Sequence, residues 1–185
     1  MGYFYSFGID FNTEEQAKVC EQLLEEFEII LSDSSIVPGN VSIYKSYVGE
    51  MPATYQVDLY PNGLQYMAAP EKLASRPYFY EIRSQLYQFV LTLDIDFNYA
   101  FFEFEGADHL KDSDVAADIN LYGIGNHEMG DQQAATLSIF EPSYYYGKRY
   151  FDGLVISEAL YDRLIRDREH FVIFKPGYFW LPIPI

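Results

Sequence analysis

Seven side chains able to ligate a metal or move a proton crowd into a short stretch of this sequence: His109, Asp112, Asp114, Asp118, His127, Glu128 and Asp131. The last three lie in GIGNHEMGD, Gly123 to Asp131, where a His-Glu pair sits in a glycine-rich frame. Nitrogen and oxygen donors of this kind suit a transition metal, and a metal-dependent hydrolase using His109, Asp112, Asp114, His127 and Glu128 is one reading of them. The spacing does not follow a known metal motif, because H-E-x-x-H would need a second histidine one helical turn on. The glycines also miss the dinucleotide fingerprint. After Gly123 and Gly125 the third glycine, Gly130, arrives two residues late. DSDVAADINLYG from Asp112 departs from a calcium loop, with alanine at its fifth and sixth positions and glycine at its twelfth. GIGNHEMGD therefore reads first as a turn.

Two carboxylate pairs, Asp94 with Asp96 and Glu103 with Glu105, have the two-residue spacing that projects from one face of a strand. Such pairs can hold Mg²⁺ for phosphoryl chemistry, but that chemistry also needs cations to hold its anionic substrate. Between Arg83 and Lys148 there is only Lys111. The single cysteine, Cys20, falls on the apolar side of an expected helix and reads as a buried, inert thiol. No serine sits in G-x-S-x-G. No catalytic residue, resident metal or cofactor is assigned on this reading.

Charge gives a more definite expectation. The formal net charge of the 185-residue chain is −16. Residues 1 to 75 hold 3 basic and 11 acidic side chains, residues 76 to 142 hold 3 and 12, and the remainder holds 6 and 5. A field of this sign repels phosphates and anionic lipid and attracts a cationic protein. YYYGKRYF, from Tyr144 through Tyr145 and Tyr146 to Phe151, adds the residue type that interface cores favour. The expected partner-binding set is accordingly Asp108, Asp112, Asp114, Asp118, His127, Glu128, Asp131, Tyr144, Tyr145 and Tyr146. The tyrosines fit equally well as filling for the second face of a sheet.

The elements that must carry these residues follow from periodicity. YFYSFGIDF, residues 3–11, alternates as a strand with one buried face. TEEQ from Thr13 is a capping box, and Ala17, Cys20, Leu24, Phe27 and Leu31 form one face of a helix reaching about Leu31. Glu14, Glu21, Glu25 and Glu28 make an acidic ridge opposite, with Lys18 placed to pair with Glu14. VSIYKSYV and ATYQVDLY read as strands, and PNG at 61–63 as a turn into LQYM. Pro77 opens a second helix with the stripe Phe79, Ile82, Leu86, Phe89 and Leu93. DIDFNYAFFEFEG, INLYGI and ATLSIF add strands. Ser157 caps the short helix EALYDRLI before the strand HFVIF.

The predicted order, β-α-β-β-β-α-β-β-β-α-β, lacks regular βαβ alternation. It implies a single α+β domain over 1–185, an antiparallel-rich sheet with both long helices on one face and a short C-terminal helix. With 49% apolar and 18% aromatic residues the chain can bury a core. Its first strand starts almost at the initiator, with no basic region or long apolar run, so neither signal peptide nor membrane span is expected and the cytoplasm is the expected location.

The opening YFYSFGIDF strand, the TEEQ-capped acidic helix and the late GLVISEALYDRL followed by HFVIFKP together resemble, in organisation, the small acidic immunity proteins of bacterial toxin–immunity systems. That resemblance implies a cytoplasmic partner, a toxin domain, that the chain occludes, and it transfers no individual residue. The leading expectation is a non-enzymatic inhibitor of a cationic site on a nuclease-type or other toxin, with the metal hydrolase and an acidic structural or accessory subunit as alternatives.

Overall fold

The computed structural model describes residues 3–47, 49, 52–62, 65–66, 78–104, 114–124, 151 and 153–182. The fold is α+β with antiparallel strand pairing, and the chain divides into two compact units, residues 1–113 and 114–185.

The first unit is organised by β1 (Tyr3–Phe11). Helix α1 (Glu14–Glu26) follows, then the short strands β2 (Ile29–Ile30) and β3 (Ile36–Val37), which pair with each other. Next come β4 (Gly39–Ser46), β5 (Thr54–Pro61), β6 (Gln65–Tyr66), helix α2 (Phe79–Thr92) and β7 (Tyr99–Phe104). β1 runs antiparallel between β5 and β7, and β4 lies outside β5.

On one face of β1, Tyr5, Phe7, Ile9 and Phe11 are all fully buried. Register places Leu59 and Phe102 across from Phe7, and Val57 and Ala100 across from Ile9, so the same face of three strands is apolar. Both long helices cover this face. Phe79 of α2 meets Tyr5 and Phe102 with ring centroids 4.6 and 5.8 Å away. Phe27, which ends α1, packs 5.1 Å from Phe89 of α2. The expected stripe on α2, from Phe79 to Leu93, is buried throughout, as are Ala17, Cys20 and Leu24 of α1.

Features of the first unit differ from the sequence-based expectation. The other face of β1 is also buried, since Ser6 and Asp10 are almost fully enclosed. The alternation therefore separates an apolar buried face from a polar buried one. Helix α1 stops at Glu26 rather than near Leu31, because Phe27 turns to an extended conformation to reach Phe89 and the β-branched Ile29 and Ile30 go into β2. β5 and β6 do not form the hairpin expected around PNG. β6 pairs with β1, not β5. Phe7 faces Leu59 while Phe4 faces Gln65, so three steps along β1 span six residues of the opposite chain.

The second unit begins with helix α3 (Val115–Tyr122), followed by β8 (Val155–Ser157), helix α4 (Glu158–Asp162), a 3₁₀ turn (Arg168–His170), β9 (Val172–Lys175) and β10 (Tyr178–Trp180). β10 pairs antiparallel with both β8 and β9. INLYGI does not form the expected strand. INLY is the body of α3, because Asp114 caps the helix by accepting from the Ala117 N–H, and Gly123 ends it at a φ of 77° that suits glycine. Val115, Ala116 and Ile119 form its buried side. Ser157 caps α4 by accepting from the Leu160 N–H, as expected. β10, from YFW, has no counterpart in the sequence reading, and ATLSIF lies outside the described residues.

Candidate functional site

Three places in the described structure gather polar chemistry. The first is the buried polar face of the β5-β1-β7 sheet. Asp10 lies across from Gln56 on β5 and from Tyr99 on β7, so the three form one row over three strands. The Tyr99 hydroxyl donates to Gln56 Oε1 at 2.6 Å, and Gln56 Nε2 donates to Asp58 Oδ1 at 2.6 Å. Tyr60 approaches the second oxygen of Asp58 at 3.4 Å. At the end of β1, Asn98 Nδ2 donates to Asp10 Oδ1 at 2.8 Å and to Asn12 Oδ1 at 3.0 Å.

Burial pushes the Asp10 carboxyl up to about 6, against hydrogen bonds from Asn98 and Thr54 that pull it down. A carboxyl titrating there has the acidity of a general acid. Asp10 is nevertheless only 3% exposed and its hydrogen bonds close on the protein's own side chains. This arrangement is a satisfied polar network, which specifies strand register because a one-residue slip would drive these groups into the apolar face. No sequence motif marks it. The signal that could have found it is Asp10, Gln56 and Asp58 recurring at inward period-two positions of strands otherwise rich in aromatics.

The second place is the surface of α1. Thr13 caps the helix by accepting from the Gln16 N–H at 3.2 Å, and its hydroxyl meets Gln16 Oε1 at 3.1 Å. Glu14, Glu15, Glu25, Glu26 and Glu28 are exposed and Glu21 is half-buried. Lys18 pairs with Glu14 at 2.6 Å, holding that carboxyl below its ordinary range by hydrogen bond and charge. The remaining described cations of this unit are also engaged. Lys45 sits 5.5 Å over the rings of both Tyr47 and Tyr55, and the Arg83 guanidinium lies over Phe79 and Tyr80. Cys20 is buried, and desolvation pushes its thiol up to about 12, far from the thiolate that nucleophilic chemistry requires.

The third place is the second unit's polar clamp. Asp114 holds the Arg163 guanidinium in addition to capping α3. Asn120 donates to the Arg163 carbonyl at 2.9 Å and accepts from the Ile165 N–H at 2.8 Å. Asp167 takes the Ile124 N–H at 3.2 Å and Arg166 Nε at 3.1 Å. Asp167, Glu169 and His170 bring donor atoms within 4.8 Å of one another, a grouping absent from the sequence reading because D-x-E-H matches no ligand spacing.

Of the expected partner-binding residues, Asp114 and Asp118 are described, both in the first turn of α3 or at its cap. Asp114 is committed to its own unit by the cap and the ion pair, as a helix N-terminus favours. Asp108, Asp112, His127, Glu128, Asp131, Tyr144, Tyr145 and Tyr146 lie outside the described residues, as does His109 of the alternative metal cluster. Asp94 and Asp96 are exposed, with half-buried Ile95 between them. Among the described residues, no helix is long and apolar enough to cross a membrane. Compared with protein-family models, curated proteins and solved structures, the chain has no match.

Proposed function

We propose that this protein is a non-enzymatic acidic binding protein that occludes a cationic site on a partner protein, acting in part as a phosphate mimic, with a nuclease-type toxin domain as the partner class that the immunity-protein resemblance implies. The observation that carries this reading is the imbalance on the first unit. Residues 1–113 hold 18 acidic and 6 basic side chains, and the described cations Lys18, Lys45 and Arg83 are each engaged by a neighbour, whereas Glu15, Glu25, Glu26 and Glu28 stand exposed on or just beyond one helix. A rigid helix that displays carboxylates without interleaved free cations accelerates encounter with a basic surface and disfavours acidic ones. Location in the cytoplasm belongs to the same proposal.

The test is co-expression with a basic protein encoded beside this chain, followed by co-purification and a survival assay. A 1:1 complex that weakens steeply with salt, together with protection of the host from the partner's toxicity, is the expected result, because exposed charges are screened within about 8 Å at physiological ionic strength. Affinity indifferent to salt, or a complex that gives no protection, removes the proposal.

A further inference from the structure

The acidic surface of α1 is interrupted by an apolar row. Val19 is 47% exposed and Leu23 41% exposed. They stand four residues apart, so they share one line of the helix surface with Glu15 before them and Phe27 after them. Phe27 turns inward onto Phe89, which anchors the row's C-terminal end against α2. In the adjacent line Lys18, Gln22 and Glu26 are exposed, with Lys18 held by Glu14. A solvated helix face needs no such row. Charge alone would be served by more glutamates, and core packing is already supplied by Ala17, Cys20 and Leu24.

We infer that the Val19–Leu23 row, rimmed by Glu15 and Glu26, is the docking surface of α1 and that its occupant is a basic amphipathic helix of a partner protein. The inference rests on the acidic-binder reading and names the surface that reading uses. Complementarity selects the occupant: apolar side chains at helical spacing would cover Val19 and Leu23, and flanking Lys or Arg would meet Glu15 and Glu26. An acidic segment would be repelled by the same rim, and a second copy of this chain would bring a second acidic α1.

The full chain is titrated into a fluorescent peptide with Leu at i, i+3, i+4 and i+7 and Lys elsewhere, with a scrambled peptide of the same composition as control, and binding is read by anisotropy. Two paired variants are compared, V19S/L23S and V172S/I173S. The second alters an apolar pair that is at least as exposed but on β9 of the other unit. Circular dichroism confirms that each keeps its fold. The expected result is saturable binding of the patterned peptide, weakened about tenfold or more by V19S/L23S as two apolar contacts are lost, and unchanged by V172S/I173S. E15Q/E26Q is expected to flatten the salt dependence.

Equal binding of the scrambled peptide, or equal binding by V19S/L23S, overturns the docking surface while leaving charge-driven capture of basic proteins intact. If neither peptide binds at low salt, both are overturned. Self-association that V19S/L23S abolishes, seen by sedimentation, assigns the row to a second copy and likewise overturns it.

Discussion

Gln85 on α2 holds Ile30 on β2 by both polar groups of that residue's main chain: Oε1 accepts the Ile30 N–H at 3.0 Å and Nε2 donates to the Ile30 carbonyl at 2.8 Å. One turn earlier, Glu81 takes the Ser32 N–H at 2.6 Å and the Ser32 hydroxyl at 3.0 Å. Two side chains at i and i+4 of a helix thus bond the main chain of β2 and of the residues just after it. A primary amide can do this because it carries a donor and an acceptor side by side, as a peptide does.

Replacing Gln85 by leucine keeps the volume and removes both bonds. The variant is expected to lose about 1–2 kcal/mol in urea denaturation, given the modest net value of each exchanged hydrogen bond. Gln85→Glu keeps the acceptor but sets a carboxylate oxygen against the Ile30 carbonyl, one turn from Glu81, so a loss at least as large is expected at neutral pH. No loss in either variant would mean that the β2–β3 pair is held without the clamp.

Asp10 makes stability depend on pH in a direction opposite to that of a salt-bridged carboxylate. Its folded value of about 6 lies above the ordinary 3.8, so between those values the folded state binds more protons than the unfolded one. Stability from this group is complete below about pH 4 and is lost as pH rises through 6. Asp10→Asn keeps an oxygen for Asn98 and removes the charge. Relative to the parent it is expected to gain up to about 3 kcal/mol at pH 8 and nothing at pH 3.5, read as paired thermal melts across the range. A pH-independent difference would show that burial of the charge is not the cause.

Tyr99→Phe removes the donor that satisfies Gln56 Oε1 inside the sheet. Because the acceptor remains enclosed, the expected cost is about 1–3 kcal/mol, larger than that of an exposed hydroxyl deletion such as Tyr80→Phe. Chemical denaturation of both variants checks the contrast, and equal costs would show that the buried row is not held by this bond.

Asp114→Ala deletes the cap of α3 and the acceptor of Arg163 at once. A loss of about 1–2 kcal/mol is expected, most of it from the cap, since Arg163 is partly exposed and its ion pair is screened. Asp114→Asn should recover the larger part. If Asp114→Asn were as damaging as alanine, the ion pair and not the cap would be the dominant contact.

The sequence by itself determined the pieces whose signal is local. Tyr3–Phe11 was legible because aromatic and β-branched residues alternate with small polar ones. The bodies of α1 and α2 were legible because their apolar residues recur at three and four, and the Thr13 and Ser157 caps because a hydroxyl three residues before a helical N–H can hardly do anything else. The acidic character of the first unit needed only counting. Tertiary structure decided where α1 ends, since Phe27 leaves the helix for Phe89, a residue far along the chain. It decided that β6 returns to β1, and that INLY coils into a helix behind Asp114 where β-propensity alone suggested a strand. Above all it decided that Asp10, Gln56 and Asp58 are core residues. Periodicity tells that one side of a strand differs from the other, but only packing tells whether the polar side meets water, and here Tyr99 and Asn98, roughly ninety residues after Asp10, complete the hydrogen bonds that let these groups stay buried.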